Sequence, residues 1–336
     1  MISDNNGKYM ESNSSSFPSS DKYIFNSSKS GCLDSSGNVL DNSIKYDNNI
    51  VTYEMDLTSE CYIYFDYVSL TDCSGTIGEC LLENPTAGLN TSLEGGLYRF
   101  QGTNDTVNNF VCFGTTSKEE CLSDTDKYMY RIIGINEDNQ VKLIKKEALN
   151  TAYAWHSDRT IEKSWSDSDL YKGINGSYFL NTDYVPSDWN NKIAYKNWKY
   201  GKTTTINYTA ANLYEIENNW IDTTSAKIGL MYTHDYFYAY QSGGLNCSSS
   251  GLYNVCKNAW IHLLYNDSDV PTLYEWTMIR YGLNGSSYHI WNVRSDGYVG
   301  YYYSDVELEI RPVFFLTSDV QYKSGTGTIE NPILIQ

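Results

Sequence analysis

The chain is poor in several features that would fix a function at once. Its 336 residues include only 6 prolines and 4 histidines, and 24 Lys and Arg stand against 41 Asp and Glu. The resulting net charge of −17 argues against nucleic acid, whose affinity comes from neutralised phosphates, and against anionic membrane surfaces. No apolar run approaches the roughly 18 residues of a membrane span, so no membrane insertion is expected. The start, Met1-Ile2-Ser3-Asp4, is polar; no signal peptide is visible, and a chain whose export segment was removed is expected. There is no C-x-x-C, and His156, His234, His262 and His289 do not sit at zinc-ligand spacing. G-x-S-x-G, H-E-x-x-H and P-loop motifs are missing too.

What is present is distinctive. The chain holds 32 Tyr, while charged residues make up only 19%. The polar remainder is mostly Asn, Ser, Thr and Gly, a composition that favours strands and turns over long helices. Such a chain reads as acidic, soluble and outward-facing. Eight cysteines, an even count with close neighbours, read as disulfides in an oxidising compartment. On the order of a hundred pairings are open; nearest-neighbour pairing gives Cys32–Cys61, Cys73–Cys80, Cys112–Cys121 and Cys247–Cys256. Closing those loops would stabilise the fold by on the order of 10 kcal/mol in total.

Along the chain, residues 1–21 are Ser/Asn-rich and short of aliphatics, hence expected to form an unstructured lead. Residues 22–88 read as a small β-sandwich-like module, with a hairpin at Ser43–Met55 and a strand at Cys61–Asp66. From 95 to 336 a larger domain follows. Its clearest hairpin joins Tyr130–Ile135 to Gln140–Lys145 across Asn136-Glu137-Asp138-Asn139. Ser166–Asp169 is rich in helix caps, with Leu170 and Ile174 on one face. Thr209 would cap a second short helix carrying Leu213, Ile216 and Trp220. Lys227–Tyr232 reads as a core strand. His234 and Asp235 beside it would then point to opposite faces, which disfavours a catalytic pair.

The C-terminal tract divides in two. Val306, Leu308 and Ile310 alternate with Glu307, Glu309 and Arg311, the period of a strand with one buried face, and Val313–Leu316 then reads as a central core strand. Before it, Tyr281–Asp305 holds 6 Tyr, 4 Ser, 4 Gly and 2 Asn in 25 residues. Tyr, Ser, Gly and Asn make adaptable contact surface at low entropic cost. The residues expected to touch a ligand are Tyr281, Asn284, Tyr288, Trp291, Arg294, Tyr298, Tyr301 and Tyr303. Trp291 is equally readable as core, and tyrosine-rich strands are ordinary because Tyr is a good strand former.

Tyr130–Ile135, Val141–Lys146, Ser168-Asp169-Leu170 before Ile174-Asn175, Lys227–Tyr232, Trp291-Asn292-Val293 before Gly297, and Arg311–Leu316 follow one another. In this order they resemble the C-type-lectin-like domains of uncharacterised bacterial surface proteins, related to formylglycine-generating enzymes. The resemblance implies an α+β fold: a twisted antiparallel sheet with two short helices, after a small cysteine-containing β-module. It implies close termini and a binding face made from loops near Trp276–Arg311; a monomeric, extracellular, cell-surface protein that binds a protein or glycan is expected. In some relatives that face is hypervariable, which Tyr288, Tyr298, Tyr301, Tyr302, Tyr303, Ser304 and Asp305 would suit. The Glu-Pro-Asn and Trp-Asn-Asp calcium signatures of sugar-binding lectins are missing, as is a counterpart of the catalytic cysteine pair.

No catalytic and no metal-ligating residue is assigned. Calcium is the one cofactor entertained, through Asp124-Thr125-Asp126, Asp167-Ser168-Asp169 and Asp267-Ser268-Asp269, none of which continues as an EF-hand loop. Three readings stay open: a ligand-binding surface protein, an enzyme on the same scaffold, and a structural surface component. The first requires an exposed aromatic cluster. The second requires a pocket with convergent, pKa-shifted groups.

Overall fold

The computed structural model describes residues 1–3, 9–11, 23–27, 29–33, 36, 39–40, 44–47, 50–53, 60–67, 73–205, 208–240, 247, 253–263, 274–282 and 288–336. These residues are rich in strand, their helices are short, and none is long and apolar enough to cross a membrane. Two units result: Met1–Cys73 with Ser324–Thr326, and Ser74–Lys323 with Gly327–Gln336. The division thus falls at Cys73, before helix Ile77–Glu83, rather than in the stretch 88–95.

In the smaller unit the expected unstructured lead is partly ordered. Ile2–Ser3 pairs antiparallel with Tyr9–Met10 and parallel with Phe65–Tyr67, which in turn pairs with Tyr23–Phe25. Short as they are, these strands are held by long-range bonds: the Met1 ammonium donates to the Ile63 carbonyl at 2.7 Å, and Asn26 Nδ2 to Asp66 Oδ2 at 2.7 Å. The hairpin at 44–53 is present as Ile44–Asp47 paired with Ile50–Tyr53. Cys32 and Cys61 are register partners in neighbouring strands and are joined by a disulfide. A bridge suits a unit too small to bury much apolar surface.

The larger unit begins with helix α1 (Ile77–Glu83), whose cap Thr76 and N3 residue Glu79 form a reciprocal capping box. Strands β1 (Leu89–Glu94), β2 (Leu97–Phe100) and β3 (Phe110–Cys112) follow, then helix α2 (Lys118–Ser123). The hairpin of β4 (Met129–Ile135) and β5 (Val141–Lys145) pairs as the sequence predicts, Tyr130 opposite Lys145 and Ile135 opposite Val141. Helix α3 (Asp169–Ile174) starts at Ser168, whose hydroxyl accepts from the Tyr171 amide, and buries Leu170 and Ile174. Strands β6 (Lys196–Lys199) and β7 (Lys202–Thr203) lead to helix α4 (Ala210–Asn218), capped by Thr209. Then come β8 (Thr223–Ala226), β9 (Ile228–Gly229), α5 (Thr233–Tyr238), β10 (Tyr274–Tyr281), β11 (His289–Arg294), β12 (Val299–Tyr303) and β13 (Val313–Phe315).

The main sheet runs β1-β2-β4-β5-β13-β9, with β3 also on β4. The central place predicted for Val313–Leu316 is correct: β13 pairs with β5 on one side and β9 on the other. Phe314 anchors the core, its ring 4.8 Å from Phe113, 5.5 Å from Tyr130 and 6.2 Å from Phe179. The closing segment lies against the start of the domain, with Ile333 donating to the Phe110 carbonyl and accepting from the Cys112 amide. A second sheet, β7-β10-β11-β12, carries the tyrosine tract.

Several expectations are corrected. Strand Lys227–Tyr232 shrinks to β9, because Tyr232 already serves as the N-cap of α5. The alternating strand at Val306–Arg311 is reduced to Glu307–Leu308 paired with Tyr153–Ala154. Arg311, placed by alternation on the solvent face, is buried, with Nε and Nη2 each 2.8 Å from Glu275. The helices read from the caps Ser168 and Thr209 are present, and α1, α2, α5 and the short helices Thr125–Tyr128 and Tyr253–Cys256 join them. Cys112–Cys121 and Cys247–Cys256 are bridged as nearest-neighbour pairing predicts, and Cys73 and Cys80 are also disulfide-bonded.

Candidate functional site

The β10–β11–β12 sheet sorts the tyrosine tract by its own pleat. Trp291 lies opposite Tyr301, and His289 opposite Tyr303. Because alternate residues share a face, Tyr301 and Tyr303 stand on the side carrying Trp291 and His289. Tyr281 joins them: its ring stacks on Tyr301 at 4.0 Å with an interplanar angle of 11°, and meets Trp291 edge-on at 5.0 Å. His289 lies 4.3 Å from Tyr303, and the Arg159 guanidinium 5.4 Å from the same ring. Offset and edge-to-face contacts are the arrangements aromatic quadrupoles favour. The inner members, Tyr281 and Trp291, are buried and form the floor. The outer ones are open: Tyr301, Tyr302 and Tyr303 expose 47%, 41% and 44% of their surface.

Not every expected ligand residue belongs to this ladder. Arg294 and Tyr298 flank the β11–β12 turn, where the Arg294 amide donates to the Tyr298 carbonyl. Arg294 lies over the rings of Tyr298 and Tyr274, each at 5.5 Å, on the face opposite Trp291. Tyr302 shares that opposite face, 5.9 Å from Tyr274. Tyr288 is half-buried, its carbonyl taken by the Ser304 amide. Asn284 lies outside the described residues. Sequence reasoning missed His289 and Arg159; nothing in the local pattern marks Arg159, which comes from a distant loop.

A second constellation lies in the same unit, where no site was placed from sequence. A cleft of about 220 Å³ is walled by Trp198, Tyr214, Tyr232 and Phe315 and lined by Arg99, Lys142 and Glu217. Arg99 reaches it from β2, Lys142 from β5, Glu217 from α4, and His234 and Asp235 from α5. All five are buried. Arg99 Nη1 donates to Asp235 Oδ1 at 2.9 Å, and Lys142 Nζ to Asp235 Oδ2 at 2.6 Å. Asp235 Oδ2 also accepts from the Tyr232 amide at 3.1 Å. Glu217 accepts from the Thr233 hydroxyl and pairs with His234 Nδ1, while His234 Nε2 lies 3.4 Å from Asp235 Oδ1.

Local sequence explains the placement. Helix α4 buries Ala210, Leu213 and Glu217 rather than Leu213, Ile216 and Trp220. The spacing is helical, but its last position is a carboxylate. His234 and Asp235 sit on a helix, not a strand, so they turn into one charge network instead of opposite faces. Two glycines admit the packing. Gly95 has φ 56°, and a Cβ there would lie 2.8 Å from the Tyr238 ring that carries Arg99 at 4.7 Å. A Cβ on Gly229 would lie 2.7 Å from Trp198, the cleft wall.

Electrostatics limit what these groups can do. Burial alone would raise the Asp235 pKa; the charges of Lys142, His234 and Arg99 outweigh it and hold the carboxyl far below the usual carboxylate range. A general acid must keep a proton near neutrality, so ionised Asp235 cannot serve as one. Both Glu217 oxygens are engaged as well. The cleft therefore meets the geometric requirement of the enzyme reading, while its two carboxylates are committed to pairing.

The acidic pairs considered for calcium have other employment. Asp124 caps a short helix at Thr125–Tyr128, and Asp169 Oδ2 accepts from Ser157. Asp267 and Asp269 lie outside the described residues. Among the described residues no cluster of His, Cys, Asp or Glu could hold a metal ion. No protein-family model, no curated protein and no solved structure matches this chain.

Proposed function

We propose that the chain is an extracellular recognition protein of a bacterial cell surface, binding a protein or a glycan through the Tyr301–Tyr303 side of its second sheet. One observation carries this reading. Tyr281, His289, Trp291, Tyr301 and Tyr303 form one contiguous ladder, and its outer phenols are nearly half exposed although buried neighbours hold them in place. Rigid rings with a polar tip give contact area at low entropic cost and stack on sugar faces or apolar protein surface alike. The C-type-lectin-like architecture belongs to the same proposal. A strand-rich fold with short helices, and a closing segment paired back to Phe110 and Cys112, supports it. The disulfides support an oxidising, extracellular setting.

The test is a glycan and extracellular-protein binding screen with the intact chain and with the Tyr301→Ala, Tyr303→Ala double variant. The intact chain is expected to give ligands that the variant loses while the variant keeps the parent's far-ultraviolet circular dichroism. Ligands retained in full by the variant would remove this surface from the site.

A further inference from the structure

The cleft between β2, β5, β6, α4 and α5 has a charge balance opposite to that of the chain. Arg99, Lys142, Lys196 and Lys199 line it, against one lining carboxylate, Glu217, and Asp235 behind them. Four cations thus face two carboxylates in a protein of net charge −17. Asp235 is shared between Arg99 and Lys142, so one carboxylate offsets two cations. The Glu217 carboxylate is occupied by Thr233 and His234. Lys196 and Lys199 are bonded only to neutral oxygens, of Gln140 and of Asn218, and neither joins an ion pair among the described residues. Lys142 uses one of its three donors on Asp235.

The walls between these cations are aromatic. Lys196 Nζ lies 4.9 Å from the Phe315 ring centre and Lys142 Nζ 5.6 Å from it, so both ammonium groups neighbour the same ring. Trp198 stands 6.0 Å from Phe315 on the same wall. Surplus positive charge attracts an anion, and more strongly at the buried Lys142 end, where the local dielectric is lower. Flat apolar walls add contact for a ring or hydrocarbon body. The cleft, of about 220 Å³, is on the scale of a single sugar or aromatic acid.

We propose that this cleft is a second binding site, specific for a small organic carboxylate whose charged end meets Lys142 and Lys196 and whose body lies against Trp198 and Phe315. It is independent of the tyrosine ladder: it uses other strands and other chemistry, and it stands or falls separately.

The experiment is calorimetric titration of the full chain at low salt with D-glucuronate, D-glucose and inorganic phosphate. Glucuronate is expected to bind more tightly than either of the others. Lys142→Met tests the buried cation but can disturb folding by unbalancing Asp235. Lys196→Gln, at a half-buried site, is the second variant, and Lys323→Gln removes an equal charge from an exposed position outside the cleft. Lys196→Gln is expected to weaken glucuronate binding about ten-fold, the scale of one charge-assisted hydrogen bond, with Lys323→Gln unchanged. No measurable binding, glucose or phosphate binding as tightly as glucuronate, or equal losses from Lys196→Gln and Lys323→Gln would each overturn the proposal.

Discussion

The tyrosine ladder and the charged cleft are built on opposite plans. The ladder comes from one short stretch, Tyr281–Tyr303, and faces outward on a sheet whose pleat selects which rings meet. The cleft is gathered from β2, β5, β6, α4 and α5; Arg99 and Asp235 alone are 136 residues apart. The ladder's outer rings are supported but not structurally needed. The cleft's ions are needed, because each buried charge depends on its partner. Surface chemistry can thus vary on the first without endangering the fold, whereas the second is tied to it.

That contrast can be broken in several ways. The largest effect is expected from Asp235→Ala, which leaves Arg99 and Lys142 buried without their carboxylate. Loss of one partner from a buried pair costs about 3–5 kcal/mol, read from urea denaturation. A cost below about 0.5 kcal/mol, the range of ordinary surface substitutions, would mean the network is not structural.

Acid should act through a buried group outside both sites as well as through Asp235. His262, whose Nδ1 lies 3.0 Å from the Tyr236 hydroxyl on α5, has its pKa lowered to about 4, chiefly by burial. The unfolded chain binds that proton near its ordinary value of about 6.5. Stability from a neutral His262 is therefore complete above about pH 6.5 and is lost as pH falls to about 4. The loss amounts to about 3 kcal/mol from the shift between those values. Asp235, also lowered, adds its own loss below about pH 4. Urea titrations across this range check the slope, and His262→Gln is expected to flatten its upper part.

The smallest effect on stability belongs to the ladder. Tyr301→Ala gives up one stacked pair, with Tyr281, and is expected to cost about 1 kcal/mol. Thermal melts of this variant beside Asp235→Ala would sharpen the comparison. Similar losses from both would make the ladder a structural element.

The same contrast explains what the sequence made legible. Period-two alternation and turn residues located the β4–β5 hairpin, and Ser168 and Thr209 marked their helices, because these signals are local. Close cysteines paired with their neighbours for the same reason. The tyrosine tract was visible by composition, although only the register showed that Arg294 and Tyr298 leave the face of Trp291. The cleft was invisible because nothing local marks a charged residue as buried beside a partner from another element. Glu217 falls on the buried stripe of α4 and Lys142 sits in a buried strand; each is tolerated because a partner from another element meets it. His234 and Asp235 were misassigned because a strand reading of Lys227–Tyr232 was carried past Tyr232, where a helix begins.

The central claim, that recognition takes place on the ladder, is tested most directly by hydroxyl-radical footprinting of the intact chain with and without a ligand from the binding screen. Tyr301 and Tyr303 are expected to be protected on binding, while Tyr195, 70% exposed and outside the ladder, keeps its reactivity. Protection of Tyr195 with Tyr301 and Tyr303 unchanged would contradict the account.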